Sequence, residues 1–570
     1  MILLNTQRLE IIMTKQFKWL NQDSRAFLEA DYLLPGQSAE ERIRLIADHA
    51  EKLSGIEGFG DKFYDYMGRG WYSLSSPVWA NYGTDRGLPV SCFGSYVEDN
   101  MESILTTHAE VGMLSKYGGG TSGFFGDVRP RGASIQDKGV SSGAVHFMEL
   151  FDKLTNVVSQ GSVRRGFFSA YLPIDHDDFD EFVSIGHDGH NIQNITHGVT
   201  VSDEFLNKMI DGDKEARRRW AKVIDMRGQV GYPYIFFEDN VNNQKPEVFK
   251  DKRIYASNMC SEIALPSGPD ETFVCVLSSI NLLHYDEWKD TDAVETLTIF
   301  LDTVCTEFIQ VAEKMRETKP QAVAMIERAV TFCKRYRALG LGVLGFHSYL
   351  QSKMIPFESR EAAMWNLEMI KLIRQKAEAA SHKLFDPHYG YSERPTTDKR
   401  NATLLAIAPT KSSSFILGGV SQGIEPEMSN FYIKDLAKAK VTVKNPYLEA
   451  LLTSKGVDKE EVWDVIRKTD GSVQTLNCLT QEEKDVFKTM AEINPETIID
   501  YAAVRQPYID QAQSLNLMID PDTHPKEINA LYLKAWQLGV KTLYYQYSLN
   551  AAQVLRRKQV MNEGCAACEG

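Results

Sequence analysis

The 570-residue chain is short of three things. It has no run approaching the roughly 18 uninterrupted apolar residues that a membrane span requires, and Met1-Ile2-Leu3-Leu4 gives way at once to amide and charged residues instead of a secretory core. It is short of positive charge: 63 Lys and Arg stand against 77 Asp and Glu, a formal net charge of −14. That balance argues against a surface built to coat nucleic acid. Mononucleotides stay open, because one phosphate group needs only a local cluster of donors. Cysteine is the third shortage. The eight residues Cys92, Cys260, Cys275, Cys305, Cys333, Cys478, Cys565 and Cys568 are too few and too scattered for a secreted disulfide framework. A cytoplasmic protein is expected, without membrane or nucleic-acid partners, in which each cysteine is either packing or chemistry. Hydrophobic content of 43% and charged content of 25% are those of an ordinary globular protein. The length admits two to four domains or one large α/β barrel.

What is present is organised around Ser257-Asn258-Met259-Cys260-Ser261-Glu262. A carboxamide, a thiol and a carboxylate follow one another at two-residue intervals. In an extended or looped backbone such side chains point the same way, so Asn258, Cys260 and Glu262 can face one small ligand. The plainer alternative is a buried cysteine in a strand, and an unaligned motif does not decide between them.

Taken in order, residues 16 to 70 read as helical, with a Pro35-Gly36-Gln37-Ser38 break able to cap the run Glu40 to Ala47. Trp71 to Cys92 reads as loop and strand-end material, including Ser75-Ser76-Pro77 and Ser91-Cys92. Lys116-Tyr117-Gly118-Gly119-Gly120, Asp127 to Gly132 and Ser159 to Gly166 combine glycines, small polar residues and arginines, a composition suited to phosphate or to plain solvated loops. Phe273 to Leu277 is a buried strand around Cys275. Residues 292 to 335 and 360 to 385 are helical, and the formal GxGxxG from Gly340 to Gly345 reads as close packing or a bend, since no βαβ unit surrounds it. Thr403 to Ser414 is a strand ending in a hydroxyl-rich turn, either an anion seat or an ordinary cap. Residues 430 to 500 read as a charged, mostly helical insertion. A helix stripe of Ile528, Leu531, Tyr532, Ala535 and Leu538 stops at Gly539, and a strand from Val540 to Tyr547 carries adjacent Tyr544 and Tyr545. The terminal Cys565-x-x-Cys568 lacks the four ligands of a closed zinc site and suits a thiol shuttle on a tail.

Together these stretches resemble the large catalytic (α) subunit of a class I ribonucleotide reductase. The resemblance rests on Ser91-Cys92, Lys116 to Gly120, Gln160 to Arg164, Asn258-x-Cys260-x-Glu262, Cys275, the Pro409 to Ser414 turn, Tyr544-Tyr545 and the terminal cysteine pair, in that order along the chain. It implies a ten-stranded α/β barrel with Cys260 at the tip of a central finger loop. The expected division is a helical N-terminal region over 1–85, the barrel over 86–555 with a helical insertion near 430–500, and a tail over 556–570.

The resemblance also implies roles. Cys260 would become a transient thiyl radical that takes the ribose 3′-hydrogen, Glu262 would accept the 3′-hydroxyl proton, and Asn258 would hold the ribose hydroxyls. Cys92 and Cys275 would reduce the 2′-position and end as a disulfide, which needs their Cα atoms within about 7 Å. Tyr544 and Tyr545 would relay the radical. Cys565 and Cys568 would re-reduce the pair and be reduced in turn by thioredoxin or glutaredoxin. Ser76, Ser91, Pro409, Thr410, Lys411, Ser412, Ser413 and Ser414 would hold a ribonucleoside diphosphate. Asp99, Arg129, Gln160 and Arg164 would bind a nucleotide (dNTP or ATP) specificity effector, although Ser162 and Arg165 stand where glycine is common in the family. No permanent cofactor and no metal is expected in this chain. The radical would come from a metal cofactor in a small β subunit, and family members often form homodimers.

One departure is the front piece, which leads almost at once to Ser75-Ser76-Pro77 and leaves no room for an ATP-cone module, so dATP is not expected to switch overall activity off. The compact length suggests a viral version working in a host cytoplasm. Two rivals remain: an adenosylcobalamin-dependent reductase, which would have no use for a tyrosine relay, and an inactive nucleotide-binding regulatory homologue, which would not need five cysteines with Asn258 and Glu262.

Overall fold

The computed structural model describes residues 17–136, 139–158, 166–385, 398–436 and 439–549. Three helices lead in, Gln22–Asp31, Ala39–Ser54 and Phe59–Gly68. The second starts where the break predicts: the Ser38 hydroxyl accepts from Glu41 N–H, and the Glu41 carboxylate reaches back to Ser38 N–H. The apolar faces of the second and third pack on the long helix Ala293–Thr318, where Phe63 stacks on Phe300 with ring centroids 4.4 Å apart, while the first packs on the short helix Lys411–Ile416.

The strands are β1 (Tyr72–Leu74), β2 (Cys92–Tyr96), β3 (Gly120–Phe124), β4 (Phe168–Pro173), β5 (Thr196–Val201), β6 (Tyr234–Phe237), β7 (Phe273–Asn281), β8 (Leu339–Leu344), β9 (Phe431–Leu436), β10 (Ala439–Lys444), β11 (Leu517–Ile519), β12 (Thr542–Leu543) and β13 (Gln546–Ser548). The main sheet runs β1-β7-β2-β3-β4-β5-β6-β12, with β8 along the other edge of β7. Strands β2 to β6 are mutually parallel. Parallel neighbours need long crossovers, and helices such as Met101–Lys116, Ala144–Val157 and Lys214–Val230 supply them.

Two irregular segments close the sheet on itself. Leu341 N–H in β8 donates to Leu404 O (2.7 Å), Ser514 N–H donates to Ile407 O (2.9 Å), and Tyr544 N–H donates to Leu515 O (2.8 Å). Single parallel bridges, Leu341 with Leu405 and Ile407 with Gln513, mark the same path. Residues 404–407 and 511–515 thus stand between β8 and β12, and the ring of β7, β2, β3, β4, β5, β6, β12, these two segments and β8 has the ten staves of the expected barrel. Small residues let the wall close up: a Cβ on Gly94 of β2 would lie 2.0 Å from the Phe273 ring of β7.

The insertion differs in detail from expectation. It opens with the antiparallel hairpin β9–β10, whose two-residue alternation is masked in sequence by its lysines, and only then becomes helical. Leu448, Leu452, Trp463, Ile466 and Phe487 give it a core of its own. The helix Pro525–Gln537 buries Ile528, Leu531, Tyr532 and Ala535, while Leu538 falls just outside it and is exposed.

A buried ion cluster ties the long helix to the barrel. Asp302 accepts from Arg337 Nε (2.8 Å) and Nη2 (2.9 Å), Arg400 Nε (2.9 Å) and Asn401 Nδ2 (2.9 Å). Burial opposes its ionisation, but the charges of Arg337 and Arg400 outweigh that and hold the carboxyl down at about 2. Removing the anion would strand two buried guanidinium groups. Asp302→Ala is therefore expected to cost about 3–5 kcal/mol, read as a lowered urea midpoint; a midpoint equal to the parent's would refute the cluster's structural role.

Candidate active site

Ser257 and Ala264 form an antiparallel bridge, so the residues between them make a narrow loop. The loop is held from several staves at once. Tyr171 of β4 donates its hydroxyl to Asn258 O (2.8 Å), Thr542 of β12 donates to Ser261 O (2.9 Å), Ala512 N–H donates to Glu262 O (2.9 Å), and Gln511 Oε1 accepts from Ala264 N–H (3.2 Å). A segment gripped from opposite walls lies inside the barrel. Its tip is a turn: Ser261 N–H donates to Asn258 O (3.3 Å), and Ser261 takes the left-handed conformation with φ 65°. The convergence of Asn258, Cys260 and Glu262 thus comes from this turn and not from strand alternation.

Asn258 Nδ2 donates to Cys92 Sγ at 3.2 Å, while its Oδ1 accepts from Ile263 N–H at 3.2 Å. Cys92 and Cys275 are directly opposed across β2 and β7. Opposed antiparallel residues share a face with Cα atoms about 4.5–5.5 Å apart, within the span a disulfide can bridge. Both are free thiols here. Gln511 Nε2 donates to Cys275 Sγ at 3.2 Å, and Gly340 of β8 leaves the room this sulfur occupies, since a Cβ there would come within 3.0 Å of it. The close-packing reading of that glycine is what the structure shows. Burial pushes both thiols up, with the nearby Glu262 adding to the effect. Glu262 is itself buried, which raises its carboxyl to about 7 against the opposing pull of Asn258 and the Ser514 hydroxyl, 3.2 Å from Oε2.

Cys260 is half-buried at the edge of an aromatic cluster. Tyr544 belongs to that cluster, and burial together with the neighbouring Cys260 thiol pushes its hydroxyl up. The Tyr544 and Tyr545 ring centroids are 4.4 Å apart, and Tyr234 approaches them at 4.8 and 5.2 Å. The expected continuous strand is broken between β12 and β13. Tyr544 and Tyr545 occupy the break, so they contact each other instead of pointing to opposite faces.

The turn Pro409 to Ser414 follows the stave 404–407. Thr410 is left-handed (φ 53°) and starts the short helix Lys411–Ile416. This helix docks on β1: Ser413 Oγ donates to Leu74 O (3.3 Å), and Ser73 Oγ donates to Ser413 O (3.2 Å). Ser76 is bonded to the Tyr32 hydroxyl (3.2 Å), and the Ser91 hydroxyl is buried with no partner. Asp99 and Arg129 are brought together, Arg129 Nε donating to Asp99 Oδ2 at 2.6 Å, while Arg131 is taken by Glu181. Gln160, Arg164, Cys565 and Cys568 lie outside the described residues.

A family model described as the ribonucleotide reductase barrel domain matches residues 90–215, 210–399 and 395–546. The chain belongs to the ribonucleotide reductase large-subunit family. The solved structure of an Actinobacillus ureae class Id ribonucleotide reductase alpha subunit is similar, with a TM-score of 0.88 and 50% sequence identity over 95% of this chain and 99% of that one. The ribonucleoside-diphosphate reductase large subunit of Invertebrate iridescent virus 3 is 31% identical over 91% of this chain and 92% of its own length. The large chain from Schizosaccharomyces pombe is 27% identical over 93% and 74%.

In this member of the reductase family, several residues that shape the site escape sequence reasoning. Gln511, Ser514, Tyr171 and Thr542 position the loop and its thiol partner. The one available signal is the polar run Asp510-Gln511-Ala512-Gln513-Ser514 between apolar stretches, which has neither helical nor strand periodicity.

The Glu262 proton gives a test. Its folded pKa of about 7 lies above the usual carboxylate value, so between those pH values the folded state holds a proton that the unfolded state has lost, and stability falls as pH rises. Glu262→Gln removes that penalty. It should be more stable than the parent at pH 8.5, by on the order of 3 kcal/mol, and close to it at pH 4. Urea midpoints at the two pH values check this, and a gain that does not change with pH would refute it.

Proposed function

We propose that this chain is the catalytic subunit of a ribonucleoside-diphosphate reductase, with the radical chemistry centred on Cys260. The observation that carries the reading is that one lumen brings a tyrosine-contacted thiol, a carboxyl titrating near neutrality and two opposed cysteines together. A hydrogen atom passes from Cys260 Sγ to the Tyr544 oxygen, and Tyr545 carries the same exchange outward. The Cys260 thiyl takes the 3′-hydrogen of the ribose. Glu262 as carboxylate accepts the 3′-hydroxyl proton, and Asn258 holds the ribose hydroxyls. A thiol of the Cys92–Cys275 pair protonates the 2′-hydroxyl, which leaves as water. Their raised pKa values suit this step, because it needs thiols and not thiolates. The pair supplies two electrons and ends as a disulfide, and Cys260 returns its hydrogen to C3′. The balance is one ribonucleotide and two thiols in, one 2′-deoxyribonucleotide, one water and one disulfide out.

In the same reading, the turn Thr410 to Ser414 with Pro409, Ser76 and Ser91 seats the substrate phosphates, and Asp99 and Arg129 with Gln160 and Arg164 receive a specificity nucleotide. Cys565 and Cys568 re-reduce the active-site disulfide by exchange and are restored by thioredoxin or glutaredoxin. The radical originates on a metal-containing β subunit, in line with the naming of the Actinobacillus ureae neighbour as an alpha subunit. A reducing cytoplasm suits this set of thiols, and two copies pair as a homodimer.

The test is conversion of CDP to dCDP by the purified chain with dithiothreitol and an effector nucleotide, with and without a metal-loaded β subunit. Product is expected only with β. Cys260→Ser, Tyr544→Phe and Tyr545→Phe should each reduce it to background while the variants remain folded. Product from the isolated chain with adenosylcobalamin would overturn the two-subunit reading, and full turnover by Cys260→Ser would overturn the radical assignment.

A further inference from the structure

Away from the barrel lumen, the helix Ala39–Ser54, the loop Gly83–Gly87 and the C-terminal half of the helix Ala293–Thr318 enclose a cavity of roughly 590 Å3. None of the residues assigned above to substrate, effector or radical transfer lines it. Its wall carries Glu307, whose side chain is only 6% exposed. Glu307 Oε1 accepts from Gly83 N–H at 2.7 Å, but Oε2 is buried without a partner. Beside it, His49 Nε2 stands 3.7 Å from Oε1, also without a hydrogen bond, with its ring edge-on to Tyr82. Folded proteins leave few buried polar atoms unsatisfied, and two such atoms on residues that line one hollow point to an occupant with a hydrogen-bonding edge.

The rim has the opposite character. Lys52, Lys314 and Lys319 line the mouth and are exposed. Lys314 is held only by a solvent-exposed pairing with Asp85 at 3.2 Å, which is worth little. Burial raises the Glu307 carboxyl to about 8, so near neutrality it is an uncharged acid that offers an O–H and does not repel an anion. The aromatic side chain of Tyr117 completes the wall. The volume falls in the range of small-molecule sites, about 300–1,000 Å3.

We propose that this cavity binds a nucleotide, with its base edge hydrogen-bonded to Glu307 and His49 and its phosphates on Lys52, Lys314 and Lys319. The site is separate from the Asp99–Arg129 pair and from the Thr410–Ser414 turn, and it does not depend on the radical reading.

Equilibrium dialysis of the full chain with radiolabelled ATP, GTP, CTP and UTP in turn tests it, comparing the parent with the surface double variant Lys52→Glu/Lys314→Glu. At least one nucleotide should show one more site per chain on the parent, weakened about tenfold or more in the variant. The azido derivative of that nucleotide should photolabel peptides covering residues 44–54 or 307–319. Equal binding of all four to both proteins, or label confined to other segments, would overturn the proposal. Inorganic triphosphate, which has the charge without the base, should compete only weakly. Competition as strong as the nucleotide's own would reduce the site to an anion patch and overturn the assignment of the base to Glu307 and His49.

Discussion

A loop inside a closed barrel has no water to satisfy its peptide groups, and that constraint shapes the molecule. Each exposed amide or carbonyl of the segment Ser257–Ala264 has to find a partner on the wall. The partners come from different staves: a tyrosine hydroxyl from β4, a threonine hydroxyl from β12, and the backbone and side chains of residues 511–514. These bonds fix the turn, and the turn fixes Cys260. Were the barrel open on the side of 404–407 and 511–515, the loop would lose its supports from Gln511, Ala512 and Ser514, and Cys275 would lose Gln511. Closure and site are one structural problem.

The electrostatics follow from the same burial. Thiols and carboxyls taken out of water favour their neutral forms, so Cys92 and Cys275 stay protonated and Glu262 is poised near neutrality. Asn258 links the halves, donating to Cys92 while it lowers Glu262. The register of β2 against β7 then puts the two cysteines opposite one another, although a long stretch of chain separates them.

Parts of this are legible in the amino-acid sequence and others are not, for identifiable reasons. Local rules worked where local physics decides: the Ser38 cap, the long helices, the buried strand around Cys275 and the packing role of Gly340 all follow from composition over a few residues. The grouping of Asn258, Cys260 and Glu262 was also visible, but its cause was not, because a left-handed serine at the tip leaves no trace in spacing. The staves 404–407 and 511–515 pair through one bridge at a time, with no alternation to see. The opening hairpin of the insertion was hidden by its lysines. The contact between Tyr544 and Tyr545 depends on a strand break that two adjacent tyrosines do not announce. The family resemblance supplied the barrel and the pairing of distant cysteines, which no local rule contains.

The price of the arrangement is visible in groups left unsatisfied. The hydroxyls of Ser75, Ser91 and Ser261 are buried with no partner, and Glu262 is held in a medium that opposes its charge. Each such group costs stability that the fold must recover elsewhere, and a buried unpaired hydroxyl costs about 1–3 kcal/mol. The recovery lies outside the lumen. The Asp302 carboxylate is saturated by Arg337, Arg400 and Asn401, although Arg337 Nη1 is buried without a partner, and the cluster anchors the long helix to the turn that enters β8. A lumen with spare donors beside a protonated dithiol is suited to a polar guest that completes those bonds.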